Sequence, residues 1–150
     1  MDAAPLMPTT GTLRDGVHLL PVRIYYEDTD AGGIVYYANY LKFAERGRTE
    51  LLRTLGVEQE KLRAEDGVQF VVVKGEVEYR QPARLDDALL VQTSVVHLGG
   101  TSVRMRQIIT REDKEVARVM AHVVCVDLGG KPKRLPPKFR DKLQPYLAEE

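Results

Sequence analysis

Only one stretch of this 150-residue chain carries a long helical pattern, and that limits the folds available to it. Tyr40, Phe43, Ala44, Gly47, Leu51, Leu52 and Leu55 recur mostly at steps of three and four, so they share one helix face. Lys42, Glu45, Arg46, Arg53 and Thr54 fall on the others. Asn39 reads as the N-cap, its side-chain oxygen accepting a free first-turn N–H. Gly56 is placed for the left-handed residue that closes a helix. Gly47, inside the run, costs about 1 kcal/mol relative to alanine. That cost makes sense where a sheet must approach the helix backbone closely. The pattern predicts one well-buried helix over Asn39–Leu55.

Strand patterns surround it. Val17 to Tyr26 is a β-like run interrupted by Pro21, whose missing N–H suits an edge or a bulge. After a charged link, Glu58 to Gly67, come β-branched runs at Phe70–Tyr79, Leu89–Leu98, Thr101–Thr110 and Glu115–Asp127. Gly99-Gly100 reads as a hairpin link with positive φ, and Arg111–Lys114 as a polar turn. In the last strand Ala117, Val119, Ala121, Val123 and Cys125 alternate onto one face. One helix against largely hairpin-connected strands gives an α+β class with an antiparallel sheet. Residues 1–16 read as a flexible arm, 17–128 as the domain, and 129–150 as a tail with a short helix from Phe139 to Gln144, stopped by Pro145.

Charge and cysteine content narrow the function. Lys+Arg 22 against Asp+Glu 22 leaves no excess for general nucleic-acid or anionic-membrane binding. No apolar stretch approaches the ~20 residues of a membrane span. The N-terminus lacks the basic start and apolar run of a secretory signal. The single cysteine, Cys125, can form no internal disulfide, and no Cys-rich metal site can be built. A reducing, cytoplasmic location is expected.

The informative segment joins strand to helix: Glu27, Asp28 and Asp30, then Gly32-Gly33, then Ile34-Val35-Tyr36-Tyr37. Composition alone favours a solvated turn whose acids complement the helix dipole. The apolar, aromatic stretch that follows the acids points instead to a covered pocket.

The run Tyr26-Glu27-Asp28-Thr29-Asp30-Ala31-Gly32-Gly33-Ile34-Val35-Tyr36-Tyr37-Ala38-Asn39-Tyr40, continued by Phe43 to Glu50, resembles the signature of hotdog-fold acyl-CoA thioesterases. It is similar to the 4-hydroxybenzoyl-CoA thioesterase group, and within it most like the Tol–Pal-associated (YbgC-like) family. Val77 to Asp87 and the strand order fit the same family. The resemblance implies a hotdog fold, in which an antiparallel sheet wraps one long central helix. It also implies homodimers or tetramers with active sites at subunit interfaces, and a functional link to the Tol–Pal envelope system. The family's catalytic aspartate falls on Asp30. Seven residues later stands Tyr37, at the position where the 4-hydroxybenzoyl-CoA enzymes offer a backbone N–H to the thioester carbonyl. Many YbgC-like members have histidine there, and none of His18, His97 and His122 lies in the motif.

Physical chemistry supports that carry-over. A thioester is already activated, so hydrolysis needs a positioned oxygen nucleophile and stabilisation of the developing oxyanion. Helix-start N–H groups lack intrahelical partners, and an oxyanion donor is worth about 3 kcal/mol. Tyr37 is assigned that role through its backbone. Asp30 either attacks the carbonyl or deprotonates a water. Gly33 lets the backbone bend toward substrate, and Tyr36 and Asn39 complete the substrate-binding set. Arg80 and Arg84 are candidates for the CoA phosphates, with Arg104 and Arg106 behind them. Glu27 and Asp28 read as turn or surface acids, Arg48 and Glu50 as members of exposed helix pairs, and Cys125 as a core thiol. No metal and no cofactor are expected beyond the coenzyme A of the substrate. Two rival functions remain: a hotdog dehydratase or hydratase on acyl thioesters, and a non-catalytic acyl-thioester or protein-binding module.

Overall fold

In the computed structural model, which describes residues 4–149, a helix α1 (Asn39–Thr54) lies across a six-stranded sheet. The strands are β1 (Thr12–Arg14), β2 (Val17–Arg23), β3 (Val68–Tyr79), β4 (Ala88–Leu98), β5 (Ser102–Arg111) and β6 (Lys114–Asp127). Their spatial order is β1-β2-β4-β5-β6-β3, and every neighbouring pair is antiparallel. The α+β class and the sheet laid against one long helix are as expected.

α1 buries Tyr40, Phe43, Ala44, Gly47, Leu51 and Leu52, the face read from the spacing. Each large apolar side chain on that face contributes roughly 1.5–3 kcal/mol by leaving water. Two apolar clusters result. One gathers Tyr40 and Phe43 with Ile24, Val91 and Ile109; the other gathers Leu51 and Leu52 with Val68, Met105 and Phe139. Gly47 permits the close approach: a Cβ there would meet Val91 Cγ1 at 2.8 Å and Thr93 Oγ1 at 2.9 Å. Gly56, at φ +81°, turns the chain out of the helix.

Several elements differ from the sequence reading. Thr12–Arg14 is a strand paired with Val17–Leu19, not part of an arm, and Met1–Ala3 lie outside the described residues. The charged link contains α2 (Gln59–Asp66), closed by Gly67 at φ +63°. Neither Gly99 nor Gly100 has a positive φ; that conformation falls at Glu112 and Asp113, in the two-residue turn between β5 and β6. The tail helix α3 starts at Pro137 and ends at Leu143, giving way to a 3-10 turn at Gln144–Tyr146. Pro21 lies on β2 beyond the reach of the short β1, where its absent N–H leaves no ladder bond unmade on that side.

β3 does not form a hairpin with β4. It crosses to the far edge of the sheet and pairs only with β6. Its free side exposes Val71, Val72 and Val73 at 41%, 52% and 62%. At ~3.3 Å per residue, its 12 residues make an edge about 40 Å long.

Candidate active site

The strand-to-helix segment folds as a small hairpin. A 3-10 turn at Tyr26–Asp28 is held by the Asp28 carboxylate, whose Oδ2 accepts the Tyr25 N–H at 2.8 Å. Thr29 and Val35 then face each other in an antiparallel bridge. The Asp30 N–H donates to Ile34 O at 2.9 Å, and the Gly33 N–H returns to Asp30 O at 3.0 Å. Gly33 has φ +80°, which glycine adopts without a Cβ penalty. The hairpin is tied to α1 by Asp28 O, which accepts the Tyr36 N–H at 2.9 Å and Asn39 Nδ2 at 2.8 Å. Asp28 is therefore a turn acid.

Asp30 stands at the hairpin tip and is exposed to solvent in the single chain. Its Oδ1 accepts the Gly32 N–H at 2.8 Å, which fixes the carboxylate against its own turn. Tyr37 stands at the hairpin base, where the chain joins α1. Among the described residues its backbone N–H has no acceptor, so a donor is free at the helix start. The covered pocket expected from the apolar stretch is absent within one chain: Tyr36 is 46% and Tyr37 61% exposed. Nothing among the described residues of a single copy roofs these rings.

Beside Tyr37 runs a cleft of about 260 Å³ lined by Ile34, Tyr40, Tyr79, Arg80 and Pro82. Its aromatic wall reaches from surface to core: Tyr37 meets Tyr79 edge-on at 6.2 Å, and Tyr79 meets the buried Tyr40 at 5.7 Å. Tyr79 Oη donates to Tyr37 O at 3.2 Å, and Tyr40 Oη accepts the buried Ala83 N–H at 3.2 Å. Burial pushes both phenols up, so both stay neutral and keep their protons. Neither tyrosine stood out as a site residue in the sequence. The available signal was the alternation Val77, Tyr79 at the end of a strand.

Asn39 is not the N-cap. Ala38 occupies that position, and Asn39, buried in the first turn, uses its amide as a donor to Asp28 O. Its role is to lock the hairpin onto the helix. Of the two arginines expected at the CoA phosphates, Arg80 is already paired with Glu78 and with Glu115, the latter at 3.2 Å. Arg84 sits next to the hairpin through the Ile34–Arg84 bridge, and its guanidinium has no hydrogen bond or ion pair among the described residues. Glu50 forms a helix pair with Arg53, as expected, while Arg48 does not: its Nη1 turns inward to Gln107 Oε1 at 2.9 Å. Cys125 is fully buried, and burial raises its thiol above the usual range. Among the described residues no three His, Cys, Asp or Glu side chains lie close enough to hold a metal.

Residues 25–143 match the family model described as Thioesterase-like superfamily. The chain belongs to this superfamily. It is similar to the acyl-CoA thioester hydrolase YbgC of Escherichia coli O6:H1, 52% identical over 118 residues, or 77% of this chain and 87% of that protein. The acyl-CoA thioesterase YbgC of Haemophilus influenzae is 47% identical over 73% of this chain and 80% of its own. The crystal structure of a probable thioesterase from Bartonella henselae superposes with a TM-score of 0.78 at 35% identity, covering 80% of this chain and 99% of that one. The hotdog fold and the thioesterase family expected from the motif are those found.

Proposed function

We infer that this protein is an acyl-CoA thioesterase, hydrolysing the thioester to a free carboxylic acid and CoA. The observation that carries the reading is the unpaired Tyr37 N–H at the start of α1, seven residues beyond the anchored Asp30. That N–H donates to the thioester carbonyl oxygen and stabilises its negative charge as the carbon becomes tetrahedral. Asp30 acts by one of two routes. It adds to the carbonyl carbon and expels CoA thiolate, leaving a mixed anhydride for water to cleave, or it takes a proton from an attacking water. Both begin with an ionised carboxylate and need no resident cofactor or metal. Gly33 shapes the turn under the substrate, Tyr36 flanks it, and Asn39 holds the hairpin in register with the helix. Arg84 is the better placed of the two arginines for a CoA phosphate.

A second copy of the chain completes the site. The exposed valines of β3 lie on an unpaired edge, and such an edge is satisfied by pairing with another strand. Antiparallel pairing of β3 with its twin makes a homodimer in which each hairpin faces the other copy. The oligomer is therefore a dimer or a tetramer built from it. No helix among the described residues is long and apolar enough to cross a membrane. A cytoplasmic protein with a link to the Tol–Pal system rests on the family resemblance alone.

The test is thiol release from a panel of acyl-CoAs. Wild type should release CoA, and Asp30→Asn should lose at least 100-fold in kcat with an unchanged circular dichroism spectrum. Binding of acyl-CoA without thiol release by wild type would replace the enzyme with a binding module. An enoyl product at an intact thioester would make it a dehydratase.

A further inference from the structure

Between α1 and the sheet lies a second cavity of about 150 Å³, remote from the chain's own hairpin. Leu52, Phe70, Val72, Met105 and Phe139 make its apolar wall, and Arg48 lines it with Glu45 and Thr49. Arg48 is unusual there. Only part of its side chain reaches water, and burial lowers its pKa, opposed by the charge of Glu45. Yet among the described residues no carboxylate lies within ion-pair distance of it. Its one hydrogen bond goes to Gln107, which is fully buried and fixed in turn to Ala44 O at 2.7 Å and Thr93 Oγ1 at 3.0 Å. The guanidinium is thus held rigidly, with most of its five N–H donors unspent. Glu45 offsets the desolvation of this cation only from beyond ion-pair distance, and an anion bound directly to the guanidinium relieves more of that cost.

The cavity opens at the β3 edge, through Val72. Phe70, Val72, Val77 and Tyr79 all face α1, because their partners Cys125, Val123, Val119 and Ala117 form the inward face of β6. Antiparallel self-pairing of β3 reverses the strand's ends. A register centred near Gly75 would set Tyr79 of the partner subunit, with Tyr37 of the partner subunit beside it, against the Phe70–Val72 stretch at the cavity mouth. Each cavity then lies in front of the other copy's oxyanion donor.

We propose that this cavity is the acyl subsite and that Arg48 selects short acyl groups ending in a carboxylate. The inference rests on the hydrolase reading and on β3 pairing, and adds the substrate class. Size favours a short acyl group: the ~150 Å³ that one chain contributes holds about one benzene ring, or six carbons. Chemistry sets the far end: a planar guanidinium with free donors binds a carboxylate in bidentate fashion.

Succinyl-CoA and butyryl-CoA, four carbons each, isolate the distal carboxylate, and octanoyl-CoA tests the length limit. Wild type should favour succinyl-CoA over butyryl-CoA by at least tenfold in kcat/KM and cleave octanoyl-CoA more slowly than either. Arg48→Met should bring the succinyl-to-butyryl ratio to one or below, while Arg48→Lys, which keeps the charge, holds it above one. Inhibition of wild type by free succinate and butyrate reads the same subsite without a variant, and succinate should inhibit at one-tenth the concentration or less. A wild-type ratio at or below one, equal inhibition by both acids, or a ratio unmoved in folded Arg48→Met overturns the assignment. Cleavage of none of the esters would instead remove the hydrolase reading beneath it.

Discussion

Replacing Gly47 by alanine sets two opposing effects against each other, and the structure decides between them. In an exposed helix interior the change stabilises by about 1 kcal/mol, because glycine has more backbone freedom to lose. Here the new methyl would stand 2.8 Å from Val91 Cγ1, 2.9 Å from Gln107 Nε2 and 2.9 Å from Thr93 Oγ1, all closer than real Cβ contacts allow. Overpacking of this kind costs about 1–3 kcal/mol. Relief by moving Gln107 would break its bonds to Ala44 O and Thr93, and stranding a buried polar group costs about 1–3 kcal/mol more. The balance is a net loss of roughly 1–5 kcal/mol after the propensity gain. For a chain of this size each kcal/mol moves Tm by about 2–4 °C. Differential scanning calorimetry at fixed protein concentration should show Gly47→Ala melting several degrees below wild type. Because Gln107 also holds Arg48, activity should fall too. A variant that melts above wild type would show that the helix does not approach β4 and β5 as described.

Other substitutions test separate contacts. Tyr40→Phe removes the acceptor for the buried Ala83 N–H and should cost about 1–3 kcal/mol, read by urea denaturation. His18 is fully buried, with Nε2 on Thr10 O at 2.7 Å and Nδ1 without a partner, and burial lowers its pKa. The unfolded chain therefore takes up the proton first, so stability should fall as pH drops below about 6.5, the ordinary histidine value, until the folded pKa is passed. His18→Gln should flatten that part of the Tm-versus-pH curve; an unchanged slope would assign it to other groups. Val73, 62% exposed on the free edge of β3, should tolerate lysine within about 0.5 kcal/mol in a single chain. Sedimentation should show wild type as a dimer or larger and Val73→Lys shifted toward the 16.9 kDa monomer. Identical association in both would place the interface elsewhere.

Much of this arrangement is legible before any coordinates, for reasons that are local. The three- and four-residue spacing of Tyr40 to Leu52 needs only one helix turn to express itself, and Gly47 and Gly56 break that pattern where backbone contact and chain reversal require it. The motif sets Asp30 and Tyr37 between strand and helix, and the structure has Asp30 at the hairpin tip and Tyr37 at its base, where α1 begins. What escaped the reading depends on partners distant in sequence. α2 has a single partly buried leucine, Leu62, so no apolar stripe announces it. β3 declares itself a strand by alternation, but alternation does not name its neighbour, and its place beside β6 follows from the whole sheet. Asn39 offers both an acceptor and a donor; which is used depends on Asp28 O, eleven residues back. Gln107 occupies an inward position between Met105 and Ile109, a polar residue in core register, and only Arg48 and Ala44 O explain it.

The amide of Asn39 has one more implication. Because Asp28 O is fastened to the first turn of α1, the base of the reacting loop moves with the helix as a lever that pivots on the loop's bonds to Ala83 and Arg84. Small changes under Gly47 or Leu51, far from any substrate atom, would slide that lever and re-aim the carboxylate. Catalytic drift in relatives of this protein should therefore be sought along the buried face of the helix as much as around the loop.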